Sequence, residues 1–118
     1  MSKGRLPSLP FLNIKNEVLG ESYELSLVFT ENALSHKLNK TYRGKDKPTN
    51  VLSFPLSENS GEIFIDTKKA KDEAGEFGKN FRNHVGHLFI HGLLHLKGMD
   101  HGSRMDKEEE KIREIFDL

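Results

Sequence analysis

The sequence predicts a small α+β domain in which a mixed sheet of three or four strands packs against several helices, and three observations carry that prediction. Tyr23–Thr30 places Tyr23, Leu25, Leu27 and Phe29 on one side and Glu24, Ser26 and Thr30 on the other, the period of two of a half-buried strand. Two further apolar runs, Val51–Phe54 and Ile63–Ile65, follow Pro48 and Gly61 and have the residue types of short strands. Three stretches of helical composition then succeed one another to the end of the chain. With 118 residues in all, one domain over 1–118 is the expectation, since a chain of that length hides roughly two-thirds of its unfolded surface in a single core.

The remaining elements follow in order. Phe11, Leu12, Ile14, Val18 and Leu19 recur between Ser8 and Gly20 and predict a short amphipathic helix over 9–19. Leu34, Leu38 and Tyr42 are four apart, one stripe of a helix that Gly44 can end in a left-handed conformation. Thr67–Phe77 is helical in composition, Gly78 interrupts it, and an apolar helix runs from about Asn80 to Lys97 before stopping at Gly98. Ser103 followed by Asp106 has the spacing of a capping box, opening a terminal helix whose Met105, Ile112, Ile115 and Phe116 face inward.

Composition excludes several classes of function. There is no cysteine, which removes disulfide scaffolds, cysteine zinc sites, thiol nucleophiles and iron–sulfur clusters together. Eighteen basic and 18 acidic residues cancel, so no global charge announces nucleic acid or a membrane. Apolar runs are too short for a spanning helix, and Pro7 and Pro10 interrupt the stretch a secretory leader would need; a cytoplasmic protein with no membrane partner is the expectation. Histidine is the softest metal ligand left, and all but one of the 6 histidines fall within residues 84–101.

Within that segment, His91 and His95 are one helical turn apart on the same face, with Cβ atoms roughly 5–6 Å apart, so both can direct a ring nitrogen at one ion. Gly98 tolerates the positive φ that would let the chain reverse and bring His101 to the same point. Three neutral imidazoles without a fourth protein ligand describe a catalytic zinc site, because one coordination position stays open. The H-x3-H-x2-G-x2-H spacing is that of the metzincin peptidases, but the general-base glutamate that follows their first histidine is here Gly92. His84 and His87 share the stripe at too great a distance to join the same ligand set, so hydrogen-bonding, substrate-contacting or structural roles suit them better.

Charge is segregated even though it cancels. Lys37, Lys40, Arg43, Lys45 and Lys47 face only Asp46 between residues 37 and 47, whereas residues 100–118 carry seven acids against four bases. The acidic helix reads as a solvated surface on which Glu109 and Arg113 have the favourable i, i+4 order. For the basic segment two readings stand: cations that cap a helix C-terminus, which composition alone favours, or an Arg43 guanidinium held before Gly44 for bidentate contact with a phosphate.

The run from Leu38 to Pro55, LNKTYRGKDKPTNVLSFP, with Gly61-Glu62-Ile63 and then His91–His101 behind it, closely resembles the bacterial YbeY endoribonuclease family. Order and spacing agree from about Tyr23 onward. The resemblance implies a metal-dependent, single-strand-specific endoribonuclease of 16S ribosomal RNA 3′-end maturation and ribosome quality control. It implies zinc as the usual metal, with nickel or similar ions possible, and the small ribosomal subunit and its proteins as partners. By motif position it makes His91, His95 and His101 the ligands and Arg43 the active-site arginine, with Thr49–Pro55 lining the groove; Lys45 and Lys47 are then placed to follow the RNA backbone. The chain departs from the family at Met99, where an aromatic or histidine is usual, and in reaching Ser8 almost at once where the family has a leading strand. Two rivals remain: a metzincin-like metallopeptidase, opposed by Gly92, and a non-catalytic, zinc-stabilised ribosome assembly factor.

Overall fold

The structure, a computed structural model, describes residues 8–30, 50–100 and 102–118. In chain order these form α1 (Phe11–Leu19), β1 (Glu24–Thr30), β2 (Val51–Ser57), β3 (Ser60–Asp66), α2 (Thr67–Glu76), α3 (Phe81–Leu96) and α4 (Ser103–Ile115). The helix expected at Leu34, Leu38 and Tyr42 lies outside the described residues. The architecture is the predicted one: a three-stranded mixed sheet with helices packed on it.

Sheet order is β1-β3-β2, with β1 parallel and β2 antiparallel to the central β3. β2 and β3 form a hairpin in which Val51 opposes Ile65 and Ser53 opposes Ile63, and the register shifts between Pro55 and Ser57. Proline cannot donate to a ladder, so it belongs on an edge strand beside an irregularity, and among the described residues Pro55 sits on such a strand. The central strand contributes Ile63 and Ile65 to the core, both fully buried. β1 turns Leu25, Leu27 and Phe29 toward that core, as its alternation predicts.

α3 is the hub. Val85, Phe89, Ile90, Leu93 and Leu94 are completely buried and pack with Ile14 of α1, Ala70 of α2, and Met105 and Ile112 of α4. Its approach to the sheet is close because of Gly92: a Cβ there would lie 2.9 Å from Ser53 Oγ and 3.1 Å from Ile63 Cδ1. Ser53 Oγ uses the proximity to donate to the Gly92 carbonyl at 3.0 Å.

Helix ends explain the element boundaries. Asp66 caps α2 by accepting from Lys69 N, and Asn80 caps α3 by accepting from Asn83 N at 2.7 Å. α3 stops in a Schellman turn: Met99 N donates to Leu94 O, Gly98 N donates to His95 O, and Gly98 takes φ 102°. α1 begins two residues later than predicted, at Phe11 after Pro10, with no side-chain cap, so Ser8 does not serve as one. Its C-terminal end is instead tied by Lys15, which is buried and donates from Nζ to the carbonyls of Gly20, Glu21 and Tyr23.

Three expectations for the terminal helix are corrected. Ser103 is its first residue and not its cap; Gly102 stands at the cap position with φ 151° and supplies the carbonyl for Asp106 N, so no capping box forms. Ile115 is 50% exposed, because it lies beside and not on the Met105, Ile112 and Phe116 stripe that packs on the core. Glu109, expected on a solvated surface, is buried.

Candidate active site

His84, His87, His91 and His95 form one row along α3, and three other elements of the chain supply their partners. His84 Nε2 donates to Glu73 Oε1 of α2 at 2.9 Å, and Glu73 also accepts from Asn50 Nδ2 at 3.1 Å. His87 Nε2 donates to Glu109 Oε1 of α4 at 3.0 Å, while its Nδ1 faces Lys79 Nζ at 3.3 Å. His91 Nδ1 donates to Glu109 Oε2 at 2.5 Å. His95 Nδ1 donates to the Met99 carbonyl at 3.1 Å, an acceptor that the Schellman turn carries back to the ring.

These bonds assign the tautomers. A carboxylate and a carbonyl only accept, so Nδ1 of His91 and of His95 each carries the proton, and in the uncharged form of either ring the lone pair is on Nε2. The two Nε2 atoms face one another at 3.1 Å. That donor set fits a transition metal: two imidazoles on adjacent turns, each oriented through its other nitrogen by an outer acceptor. Among the described residues no three His, Cys, Asp or Glu side chains gather as a complete ligand set. His101, expected as the third ligand, and Arg43, Lys45 and Lys47 lie outside the described residues.

Glu109 is the functional residue that reading the sequence as a solvated acidic helix missed. It is only 7% exposed. Burial pushes its carboxyl up, but hydrogen bonds from His87 and His91, and then the charges of those rings, outweigh burial and hold it at about 2. No Glu109–Arg113 ion pair forms among the described residues. A signal was present: Met105, Glu109, Ile112 and Phe116 are spaced four, three and four apart, so the carboxylate sits inside the inward stripe of its helix. Glu73 has the same signature beside Ala70, Ala74 and Phe77.

His84 is structural in its surroundings, nearly buried, with Nδ1 unpartnered among the described residues and its ring edge-on to Phe77 at 6.0 Å. A cavity of about 300 Å³ lies against this part of the row, lined among others by Asn50, Phe77, His87 and His91. Position 92 is not available to an acid–base residue, since it faces the sheet at the contact with Ser53 and Ile63. The described residues include no helix long and apolar enough to cross a membrane.

The fold is a small α+β domain whose buried helix ends in paired imidazoles, each oriented by an acceptor on its Nδ1. The chain belongs to the endoribonuclease YbeY family, whose model matches residues 9–117. It is 40% identical over 110 residues to the endoribonuclease YbeY of Pelotomaculum thermopropionicum, covering 84% of this chain and 70% of that one. With that of Methylocella silvestris it shares 46% over 96 residues, 76% of this chain and 54% of the relative; with that of Enterococcus faecalis, 37% over 120 residues, 85% and 72%. The chain thus spans between about half and three-quarters of the length of these relatives. The solution structure of TM1509 from Thermotoga maritima superposes with a TM-score of 0.64 at 30% identity, covering 87% of this chain and 74% of the other.

Proposed function

We propose that the chain is a metal-dependent endoribonuclease that cleaves single-stranded RNA in the cytoplasm, acting in ribosomal RNA processing. Within that role we infer 16S 3′-end maturation and quality control of the small ribosomal subunit. The observation that carries the reading is the facing of His91 Nε2 and His95 Nε2 at 3.1 Å with both Nδ1 protons committed elsewhere. Two lone pairs so placed repel unless a cation or a proton lies between them. Family membership supplies the choice of ribonuclease among hydrolases.

His91, His95 and, by spacing, His101 would hold zinc, or nickel or a similar ion in its place. When bound, such an ion supplies Lewis acidity toward a phosphodiester oxygen and lowers the pKa of a water toward ~7. The remaining work belongs to the protein. Glu109 and the Met99 carbonyl keep both rings in the ligating tautomer. Arg43 would clamp the scissile phosphate and offset charge developing on it, with Lys45 and Lys47 along the backbone. Phe77, 63% exposed at the rim of the cavity beside His91, offers a face on which an unpaired base can stack, which favours single-stranded over duplex RNA.

The test is metal analysis joined to cleavage of single-stranded RNA by wild type, His95→Ala and Arg43→Ala. One equivalent of metal in wild type and Arg43→Ala, with activity lost in both variants and metal lost only in His95→Ala, is the expected pattern. Metal retained by His95→Ala overturns the ligand assignment. Metal bound without RNA cleavage in any form leaves the assembly-factor reading in its place.

A further inference from the structure

We propose that Glu109 is a positioning residue that makes His91 a ligand, by clamping its Nδ1–H and sharing the same carboxylate with His87. The proposal rests on the reading of His91 as a ligand given above. Its geometry is specific. The carboxylate comes from α4, a different element from the row it serves, and both oxygens are used: Oε2 by His91 and Oε1 by His87 at 3.0 Å. Met105 and Ile112, buried to either side of Glu109 on the same stripe, lock α4 onto the core. That packing fixes the Glu109 backbone, and the two histidine bonds fix its carboxylate.

The chemical consequence follows from the acceptor-only nature of a carboxylate. As long as Glu109 faces Nδ1, the neutral His91 ring must be protonated there and carry its lone pair on Nε2, toward His95. Without it, the proton can pass to Nε2 and be donated to His95 Nε2, an arrangement that closes the pair to an ion. His87 keeps the carboxylate from rotating, and Lys79 Nζ at 3.3 Å from His87 Nδ1 ends the row in a cation. The polar chain therefore runs Lys79, His87, Glu109, His91, His95, Met99 carbonyl. Its two oxygen acceptors are at the places where a ligating ring needs one.

The experiment uses the full chain and two readouts at pH 7.5: zinc affinity by competition with a chromophoric chelator, and ¹⁵N chemical shifts of the His91 ring in metal-free protein. Wild type is expected to show the Nδ1–H tautomer at His91. Glu109→Gln should weaken zinc binding by roughly 10–100-fold and convert His91 to a tautomer mixture, while His87→Ala, which removes only the second oxygen's partner, weakens binding less. Zinc affinity within twofold of wild type together with an unchanged His91 tautomer overturns the proposal. If Glu109→Gln does not fold by circular dichroism, Glu109→Asp is read the same way: its shorter reach should give an intermediate loss in both readouts, and no change in either sinks the idea. Should wild type bind no metal, the ligand reading fails by itself, and the tautomer measurement still decides whether Glu109 orients the ring.

Discussion

The two halves of the α3 histidine row use opposite nitrogens of the same side chain. His84 and His87 give Nε2 to the carboxylates of Glu73 and Glu109, whereas His91 and His95 give Nδ1 to Glu109 and to the Met99 carbonyl and turn Nε2 toward each other. Nothing in the residue type or the helix separates the pairs; what differs is where the packed neighbour puts its acceptor. An acceptor beyond the ring tip engages Nε2 itself. An acceptor beside the ring base leaves Nε2 turned toward the neighbouring ring.

The sharpest way to break this contrast is to delete one ring from each half. His95→Ala should lose its metal and more than about 100-fold of RNA cleavage, above the range for losing an outer partner alone, while His84→Ala keeps the metal. Equal metal loss in the two, by elemental analysis, would dissolve the distinction. His84→Ala should instead cost stability, about 1 kcal/mol for the hydrogen bond lost to the half-buried Glu73, which keeps Asn50 as a donor, read as a lowered urea midpoint. Gly98→Ala, which forces a β-carbon into a φ of 102°, should cost about 1–2 kcal/mol and displace the Met99 carbonyl, weakening zinc binding with no effect on the His84 ring shifts.

A smaller effect concerns pH. Glu109 sits at about 2 in the folded chain, against 4.5 for an unperturbed glutamate. The folded state therefore binds fewer protons at this site, so the stability it contributes is present above about 4.5 and drains away as pH falls toward 2. The urea midpoint of metal-free wild type should fall over that window more than that of Glu109→Gln, and the two curves should converge at the acid end. Parallel curves would mean that the His87–Glu109–His91 clamp contributes no stability.

Much of the fold was legible because its signals are local. The alternation of Tyr23–Thr30, the stop at Gly98 and the apolar content of α3 each depend on backbone geometry within a few residues, and each appears where expected. The caps were less legible. Ser8 and Ser103 have the right chemistry, but Pro10 and Gly102 stand at the cap positions. Propensity names candidates; the path of the entering chain chooses among them.

The site divides along the same line. Spacing by itself put His91 and His95 on one face of one helix, since a four-residue step is one turn whatever surrounds it. Gly92, seen in the sequence only as a missing glutamate, turns out to be the contact that brings α3 against Ser53 and Ile63. Tertiary structure decided which nitrogen of His84, His87 and His91 points where, because that depends on Glu73 of α2 and Glu109 of α4. The sequence by itself determined the helix, its histidine face and its end. The orientation of His84, His87 and His91 came from carboxylates 11 to 22 residues away that only packing brings within 3 Å or so, whereas His95 takes its acceptor from the local turn.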